Sequence, residues 1–459
     1  MKLLKSLLLL TFFLGVALAS SNKRTLVLLS NVSSKDNYSK YFKSLKDLGY
    51  SLDIRGHLDK TLKLEEYGTY NYNNLILFTP EAEAFGGSIN LESIIGFVDA
   101  GNNVVLAASP SSSPLIRKLS SELGIELKDK ETRVYDYFNT VNLDDNSEDP
   151  SRIYSSEFVK SNLILGNEPL NPVLYSGTAA TILSNSELAV VALSAAPTAF
   201  SQKHDAIEVV GRANALVAVV QMRNNARALV SGSLDLFSNA YFSTLVPSSF
   251  DRTALVPSGN RAFCAAVTNW VFQGAGVLRL GLARHRILPS SETVDGLGNS
   301  DAASRNAGEE SPATYVVGQE VEFTVEIFKK ESATTPSTDD KSIDVLDENR
   351  YVPVVDRLEG LQLEYTMLSP FIRLPLEPRG DGTFFLRFKV PDVYGVFKYE
   401  IAYNRVGLSR LQLQLQVPVR PYKHDEYERF LTCAGPYYAS AASSIVAFLA
   451  LGWAFLYHK

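Results

Sequence analysis

The sequence predicts an α/β region followed by an all-β region and one C-terminal transmembrane helix. Three observations predict this architecture. Short apolar runs alternate with amphipathic helical segments in the first half of the chain, and period-two alternation of apolar residues dominates 315–420. An uncharged segment of 22 residues, 436–457, lies almost at the C-terminus.

The N-terminus has the three parts of a secretory signal peptide. Lys2 and Lys5 form a basic region, Leu7–Leu14 is an apolar core, and the tripeptide Ala-Leu-Ala directly before Ser20 fits a cleavage site. The alternative is an N-terminal membrane anchor, for which the apolar core is short. We expect residues 1–19 to be removed and the following chain to be lumenal or extracellular.

Residues 20–280 are predicted to form a lumenal, Rossmann-like α/β region with a parallel sheet, because buried strands and helices alternate. The expected strands are Thr25–Leu29, Leu52–Ile54, Asn74–Phe78 and Val104–Ala108. The expected helices, each followed by a glycine that suits a helix end, are Tyr38–Leu48, Asn90–Ala100 and Pro114–Leu123. A polar loop is expected at Ser30–Asn37.

The stretch 130–220 is less regular. The strands expected in it and after it are Leu188–Leu193, Ala215–Gln221 and Ala228–Ser231, and a helix is expected at 261–272. Residues 281–314 are rich in Ser, Gly, Asp and Glu, which predicts a flexible linker.

Residues 315–420 are predicted to form a β-sandwich of half-buried antiparallel strands. The alternating apolar sets are Val321, Phe323, Val325 and Ile327; Leu361, Leu363, Tyr365 and Met367; Phe397, Tyr399, Ile401 and Tyr403; and Leu411, Leu413, Leu415 and Val417.

The segment 436–457 is predicted to be a transmembrane helix. At about 1.5 Å per residue it reaches ~33 Å, enough for a hydrocarbon core of about 30 Å. A charged juxtamembrane collar at 421–435 precedes it, and 458–459 form a short cytosolic tail. A lipid-anchor signal is the alternative, but the spacer HDEYERF is aromatic and charged where that signal needs small, polar residues. We therefore expect a single-pass type I protein.

Composition excludes some classes of function. The chain is 46% hydrophobic and 20% charged, which is typical of globular proteins. The net charge is −6 and no long basic run occurs, so nucleic-acid binding has little support. The two cysteines, Cys264 and Cys433, are no disulfide framework, and we expect two free, largely buried thiols.

Catalytic motifs are absent from the sequence. It contains no H-E-x-x-H, G-x-S-x-G or phosphate-loop pattern, and its five histidines are scattered, so no cofactor or metal site is predicted. Ser109, after a predicted strand, could be a nucleophile, and Asp235 could face a crevice. The alternative for Ser109 is a polar turn that caps the next helix, and for Asp235 it is a cap or turn.

An acidic run could bind a cation or could be a solvated loop; its members are Asp144, Asp145, Glu148 and Asp149. Two sequons, at Asn31 and Asn37, are glycosylation candidates if the chain is lumenal. Within the membrane segment, Ala439, Ser443 and Ala447 are spaced by four, with Ser440 and Ser444 beside them. Small and hydroxyl residues favour close helix packing, and a plain anchor is the alternative.

Several stretches carry a family resemblance: RTLVLLSN at Arg24–Asn31, FGGSIN at Phe85–Asn90, QMRNNARALVSGSLDLFS at Gln221–Ser238, KVPDVYGVFKYEIAYNRVGLSRL at Lys389–Leu411, VRPYKHDEYERF at Val419–Phe430 and PYYASA at Pro436–Ala441. On these residues the chain resembles the DDOST-type subunit family of the eukaryotic oligosaccharyltransferase complex. That complex transfers a dolichol-linked glycan to asparagine in nascent proteins. The resemblance covers essentially the whole mature chain.

The resemblance implies an accessory subunit of the endoplasmic reticulum membrane, with a glutamine-amidotransferase-like lumenal domain. The implied partners are a catalytic multi-spanning subunit, a ribophorin-II-like subunit, a DAD-type subunit and membrane lipids. The paired tryptophans of the catalytic subunit are absent, since Trp270 and Trp453 lie far apart. No cysteine nucleophile is expected either, because Cys264 is predicted to lie in a helix away from Ser109. The tail LYHK lacks the dilysine signal of some family members, so retention would depend on assembly.

The sequence leaves three hypotheses for the function of the chain. The first is a non-catalytic scaffold subunit that supports N-linked glycosylation. The second is a lumenal amidotransferase-like or hydrolytic enzyme that uses Ser109 or Asp235. The third is a stand-alone type I lectin or receptor.

Overall fold

The computed structural model describes residues 23–141, 149–166, 169–183, 188–204, 206–248, 254–288, 311–331, 351–424, 426 and 432–458. The chain divides into two compact units. The first is formed by the chain up to Gly281 together with Ile327–Val354 and Ala402–Gln412. The second is formed by Leu282–Glu326, Val355–Ile401 and Leu413–Lys459. The predicted signal peptide, 1–19, lies outside the described residues.

The first unit contains both strands and helices. Its strands are β1 (Arg24–Leu29), β2 (Ser51–Gly56), β3 (Glu65–Glu66), β4 (Thr69–Tyr70), β5 (Asn74–Phe78), β6 (Asn103–Ala107), β7 (Ile125–Leu127), β8 (Arg133–Tyr135), β9 (Ile153–Ser155), β10 (Glu157–Phe158), β11 (Val173–Tyr175), β12 (Ala180–Ile182), β13 (Ala189–Ser194), β14 (Phe200–Lys203), β15 (Ala206–Val210), β16 (Ala215–Gln221), β17 (Arg227–Ser231), β18 (Leu245–Pro247) and β19 (Leu255–Pro257). Its helices are α1 (Ser39–Asp47), α2 (Leu91–Asp99), α3 (Pro114–Glu122), α4 (Asn162–Leu165), α5 (Asn239–Ser243) and α6 (Asn260–Val271).

The central sheet is mixed. Its order is β10-β13-β16-β17-β6-β5-β1-β2, with β12 pairing to β16 and to β7. Strands β2, β1, β5, β6 and β17 run parallel, whereas β16, β13 and β10 continue the sheet antiparallel. The prediction of a parallel sheet is therefore wrong for the second half. The reason is a tight turn between β16 and β17, where Asn225 takes a φ of 69° and no crossover helix intervenes.

Helices cover both faces of the parallel part of the sheet. Alternate residues of each strand point to opposite faces, so Val27 packs on one side and Leu28 on the other. The first face is covered by α1 and α6, which contribute Phe42 and Trp270. The second is covered by α2 and α3. Because both faces are buried, the strands read as continuous apolar runs, and the predicted strands and helices of this half are confirmed.

Residues 32–38 correct the polar loop predicted at Ser30–Asn37. They form a 3-10 helix, Val32–Tyr38, whose N-cap is Asn31. Tyr38 at its end is buried, with its ring 5.2 Å from that of Phe78. The cap and this anchor order a stretch that composition alone marks as a loop.

Strands dominate the described chain after α6. They are β20 (Leu278–Ile287), β21 (Tyr315–Val316), β22 (Glu320–Lys330), β23 (Tyr351–Pro353), β24 (Gln362–Thr366), β25 (Pro370–Pro375), β26 (Glu377–Pro378), β27 (Thr383–Lys389), β28 (Gly395–Tyr403) and β29 (Leu411–Arg420). One five-stranded sheet has the order β20-β22-β27-β26 with β23 on β22, and another has the order β21-β29-β28-β24-β25.

The period-two pattern locates the buried face of these strands correctly. Val321, Phe323 and Val325 of β22 are fully buried, as are Phe397 and Tyr399 of β28. The linker predicted at 281–314 is wrong at its start, because β20 continues to Ile287 and its last residues His285 and Ile287 are buried. The polar composition begins only after this strand, and residues 289–310 lie outside the described residues.

The last helix, α7 (Gly435–Tyr457), is preceded by a short 3-10 helix at Thr432–Ala434. It is long and apolar enough to cross a membrane and has no buried residue. Its bounds agree with the predicted segment 436–457 to within one residue. An apolar helix of 23 residues with every face exposed in an isolated chain is suited to lipid or to other apolar helices.

Candidate functional site

The carboxyl ends of β1, β5, β6 and β17 meet at one edge of the central sheet, because these strands are parallel. Ligand sites of open parallel sheets lie at this edge. Ser109 follows β6 and Asp235 follows β17, so the structure brings both enzyme candidates to the same edge.

Ser109 takes part in a turn of serines. The Ser109 hydroxyl lies 2.9 Å from the Ser111 hydroxyl, and the Ser109 backbone amide donates to the Ser112 hydroxyl at 2.8 Å. The Ser111 hydroxyl in turn donates to the Glu81 carboxylate at 2.9 Å. Ser113 is the N-cap of α3, and its hydroxyl accepts from the Ile116 amide at 3.3 Å. A nucleophile needs a base within hydrogen-bond reach. Among the described residues, the Ser109 hydroxyl contacts another serine, Ser111, and this geometry fits a polar turn that caps the next helix.

Asp235 opens a 3-10 helix, Asp235–Phe237, and lies among ionisable side chains. Burial raises the pKa of its carboxyl, and the positive charges of Arg152 and Arg133 offset only part of that rise. Burial, with a smaller contribution from Asp235, raises the pKa of Tyr38 and of Tyr241 to about 12. A raised carboxyl pKa occurs at functional sites and also in structural ion-pair networks. This edge therefore holds a polar cluster, and within the described chain neither Ser109 nor Asp235 forms a nucleophile-and-base pair.

The acidic run gives no metal site within the described chain. Asp144, Asp145 and Glu148 lie outside the described residues. Asp149 accepts from the amide and the hydroxyl of Ser151, at 3.0 and 2.7 Å, and lies 3.4 Å from Arg152. Among the residues that the structure describes, no three His, Cys, Asp or Glu side chains are grouped to hold a metal ion.

Both cysteines are free, as predicted, but their surroundings differ. Cys264 is buried on α6 and its thiol lies 3.7 Å from the Leu236 carbonyl oxygen. Burial raises the pKa of this thiol well above its ordinary value, which keeps it protonated and unreactive. Cys433 is exposed, so the prediction of a buried thiol is wrong there. It lies in the short 3-10 helix before α7, where no apolar layer covers it.

Both sequon asparagines are exposed, near the carboxyl end of β1. The Asn31 side chain accepts from the Ser33 amide at 3.0 Å, so capping occupies it. Asn37 lies within the 3-10 helix, and the hydroxyl of Ser39 in its sequon accepts from Asn239 at 2.8 Å. Glycosylation at either position stays a prediction.

The small-residue stripe of α7 faces outward with the rest of that helix. Ser440 donates to the Tyr437 carbonyl, and Ser443 and Ser444 both donate to the Ser440 carbonyl, all at 2.9 Å. The hydroxyls are therefore satisfied within the helix. Close packing of a second helix against Ala439, Ser443 and Ala447 stays a prediction.

Sequence reasoning missed Arg227, which lies at the start of β17 and is fully buried. Its guanidinium donates to the carbonyls of Trp270, Ala275 and Gly276 at 2.7, 2.7 and 2.9 Å. It also lies 4.3 Å from the centroid of the Trp270 ring. Burial lowers the pKa of Arg227 to about 9, which leaves it charged at neutral pH. The sequence pattern that could have indicated this buried arginine is its position directly before the apolar residues Ala-Leu-Val of a predicted strand.

Side-chain hydrogen bonds join the β16–β17 hairpin and helix α6 to the loop between β28 and β29. Gln221 donates to the Leu408 carbonyl at 2.7 Å, and the Trp270 indole donates to the Gly407 carbonyl at 2.9 Å. Asn225 accepts from the Arg410 amide at 2.6 Å and donates to the Arg410 carbonyl at 3.3 Å. Two of the stretches that carry the family resemblance are therefore in direct contact.

A second buried charge, Glu322 on β22, is surrounded by arginines. Its carboxylate lies 2.5 Å from Arg387, 2.7 Å from Arg286 and 3.2 Å from Arg379. Burial would raise the pKa of this carboxyl, but the Arg387 hydrogen bond and the nearby arginine charges lower it overall. The cluster is a structural ion-pair network on β22, a strand that has neighbours on both sides in its sheet.

The mixed α/β unit, the many-stranded second unit and the exposed apolar helix α7 define a class: a two-unit protein that has, among its described residues, one helix long enough to cross a membrane. Within that class, the chain belongs to the OST48 family. The family descriptions "OST48, N-terminal domain" and "OST48 middle domain" match residues 16–274 and 303–459.

Relatives of similar length match almost throughout. The chain is 34% identical over 447 residues to the dolichyl-diphosphooligosaccharide–protein glycosyltransferase 48 kDa subunit of Arabidopsis thaliana, covering 96% of this chain and 94% of the relative. The subunit of the same name from Danio rerio is 35% identical over 443 residues, with 95% and 92% covered. That of Drosophila melanogaster is 32% identical over 457 residues, with 96% and 93% covered. These findings confirm the resemblance to the oligosaccharyltransferase subunit family.

Solved structures give only remote likenesses. A ThuA-like protein from Parabacteroides merdae has a TM-score of 0.33 at 12% identity and covers 55% of this chain and 90% of its own. The carbohydrate deacetylase Agd3 has a TM-score of 0.31 at 12% identity and covers 58% and 34%. Likeness at this level is too low to transfer an activity.

Proposed function

We propose that this chain is an accessory, non-catalytic subunit of the oligosaccharyltransferase complex, needed for assembly and for efficient transfer of dolichol-linked oligosaccharide to Asn-x-Ser/Thr. One observation carries the proposal: similarity over about 95% of the chain to 48 kDa subunits of that glycosyltransferase. The serine turn at Ser109 is consistent with it, since Ser113 there caps a helix. Catalysis then belongs to another subunit of the complex.

The finer architecture is part of the same proposal. The first unit, with helices on both faces of its parallel strands, is proposed to be Rossmann-like and of the glutamine-amidotransferase type. The two five-stranded sheets are proposed to face each other as a β-sandwich over residues 315–420.

We propose the endoplasmic reticulum membrane as the location, with the bulk of the chain lumenal and α7 as the single span. The proposed partners are the catalytic multi-spanning subunit, a ribophorin-II-like subunit and a DAD-type subunit. The small-residue stripe of Ala439, Ser443 and Ala447 supports lateral packing of α7 in the membrane.

A mild-detergent pull-down of the tagged full-length chain, with identification of co-purifying proteins, tests the proposal. We expect the other oligosaccharyltransferase subunits in stoichiometric amounts. A chain that elutes alone as a monomer would favour the stand-alone lectin or receptor instead. Depletion that leaves N-glycan occupancy unchanged would contradict a role in transfer.

The packing of α7 has its own test. In the double variant Ser443→Leu and Ala447→Leu, two leucines replace small residues of the stripe and prevent close approach of a second helix. We therefore expect much less co-purification of the other subunits, with normal membrane insertion. Ala441→Leu with Gly452→Leu adds similar bulk about half a turn away and is the matched control, for which we expect assembly to be retained. Equal assembly of both variants would mean that α7 is a plain anchor.

A further inference from the structure

One end of the sheet β21-β29-β28-β24-β25 carries several exposed apolar side chains. The loop 404–410 joins neighbouring strands β28 and β29 and is too short for a crossover, so these strands are antiparallel. The start of β28 at Gly395 therefore lies at the same end as the end of β29 at Arg420. The turn between β24 and β25 is at this end too, because Thr366 pairs with Lys398.

Four apolar residues at this end are open to solvent and are named here the apolar tip: Leu368, Phe371, Tyr394 and Val396. Leu368 in the β24–β25 turn is 98% exposed, and Tyr394 before β28 is 71% exposed. The two turns touch, since a side chain at Gly395 would come within 2.7 Å of the Met367 sulfur. Exposure of an apolar cluster to water is unfavourable. The cluster on these two adjoining turns therefore indicates that another surface covers it.

The chain leaves this same end of the sheet for the membrane. Arg420 ends β29 and binds Glu426 through both guanidinium nitrogens, at 2.5 and 2.8 Å, which holds the chain at the sheet's end. Nine residues further on, α7 begins at Gly435. Fully extended, nine residues reach at most about 30 Å, so the first turn of α7 starts within that distance of the salt bridge.

The charges around the apolar tip are compatible with lipid headgroups. Lys389 and Lys423 are exposed and Lys398 is partly exposed. The exposed acids are Asp392, beside Tyr394, and Glu320, which pairs with Lys389 in the neighbouring sheet. Lysines near a bilayer can reach phosphate groups, and tyrosine and leucine are side chains that enter the headgroup boundary.

We propose that the apolar tip rests in the headgroup region of the bilayer that α7 crosses. The sheet is then held against the membrane at two places, by α7 and by the tip, and does not swing on the segment after Arg420. This inference requires only that α7 spans a bilayer. It does not depend on assembly with other oligosaccharyltransferase subunits.

Site-directed fluorescence on the full-length chain tests the proposal. Cys433 is replaced by serine, and Leu368→Cys is labelled with an environment-sensitive dye, with Cys264 left in place because it is buried. The protein is reconstituted alone into phosphatidylcholine vesicles, with or without lipids that carry a nitroxide at the headgroup or in the upper acyl chain. The matched control is Leu374→Cys, which is also exposed and lies at the far end of β25, about 20 Å away along the strand.

We expect a blue-shifted dye at position 368 that nitroxide lipids quench strongly, and a water-like dye at position 374 that they quench little. A water-like, unquenched dye at 368 would overturn the proposal. A dye at 368 that becomes shielded only after co-purification with other subunits, and is still not quenched by lipid, would also overturn it in favour of a protein occupant. Because the vesicles contain this chain alone, a failed pull-down and a failed quenching experiment report on different proposals.

Discussion

Arg227 and Glu322, two of the buried ionisable residues in the described part of the chain, are stabilised in different ways. Arg227 has carbonyl oxygens as its partners, one of them Trp270 in the last turn of α6, where the helix dipole is negative. Glu322 instead has three arginines whose side chains remain partly in solvent. Burial of a charge is tolerated in each case because hydrogen bonds from or to the charged group replace water.

The pH dependence of stability tests the Glu322 network. The pKa of Glu322 in the folded protein lies below its ordinary value of 4.5. Its contribution to stability is therefore complete above about pH 4.5 and is lost as the pH falls through the lowered pKa. We expect Glu322→Gln to lower the free energy of unfolding by about 2 kcal/mol at pH 7. We also expect the difference in the free energy of unfolding between this variant and the unmodified protein to become smaller in acid.

Urea unfolding of the full chain in detergent at pH 7 and below pH 4.5 provides the measurement. Glu364→Gln is the matched control, since Glu364 pairs with Arg373 at 2.8 Å on the surface, where ion pairs contribute less than about 1 kcal/mol. An equal difference at both pH values would contradict the assigned role of Glu322.

At the scale of elements, burial on both faces made the first half of the sheet predictable. Continuous apolar runs and glycine-ended helices locate the strands β1, β5 and β6 and the helices α1, α2 and α3 to within a few residues. The antiparallel half was missed because the reversal depends on one turn at Asn225. The short strands from β7 to β12 were missed because three residues are too few to show a period.

The turn at Asn225 can be separated into its backbone and side-chain contributions. Asn225→Gly keeps the positive φ but removes both hydrogen bonds to Arg410, so we expect a loss of about 1–2 kcal/mol in stability. Asn225→Ala also places an unfavourable side chain at φ 69°, which adds about 1 kcal/mol. Chemical denaturation of the three proteins gives both values. Equal stability of the glycine variant and the unmodified protein would show that the Arg410 contacts contribute nothing.

At the scale of the molecule, the sequence locates α7 but not what surrounds it. Hydropathy identifies a span because length and apolar composition are local properties. The candidate enzyme residues needed the topology, since Ser109 and Asp235 are 126 positions apart and meet at one sheet edge only because β6 pairs with β17. The apolar tip depends on strand order in the same way, as no local pattern connects Leu368 with Tyr394.

N-glycan occupancy in cells separates an enzymatic role from a scaffolding role. Ser109→Ala and Asp235→Ala each remove a group that an enzyme of this fold would need, and among the described residues no hydrogen bond joins either side chain to a strand of the central sheet. If the chain is a scaffold, we expect glycan occupancy on reporter proteins to stay within experimental error in both variants. We expect it to fall in Ser443→Leu with Ala447→Leu, because that pair removes the chain from the complex. Loss of occupancy in either single variant, with the other subunits still co-purifying, would instead place chemistry at the carboxyl edge of the sheet.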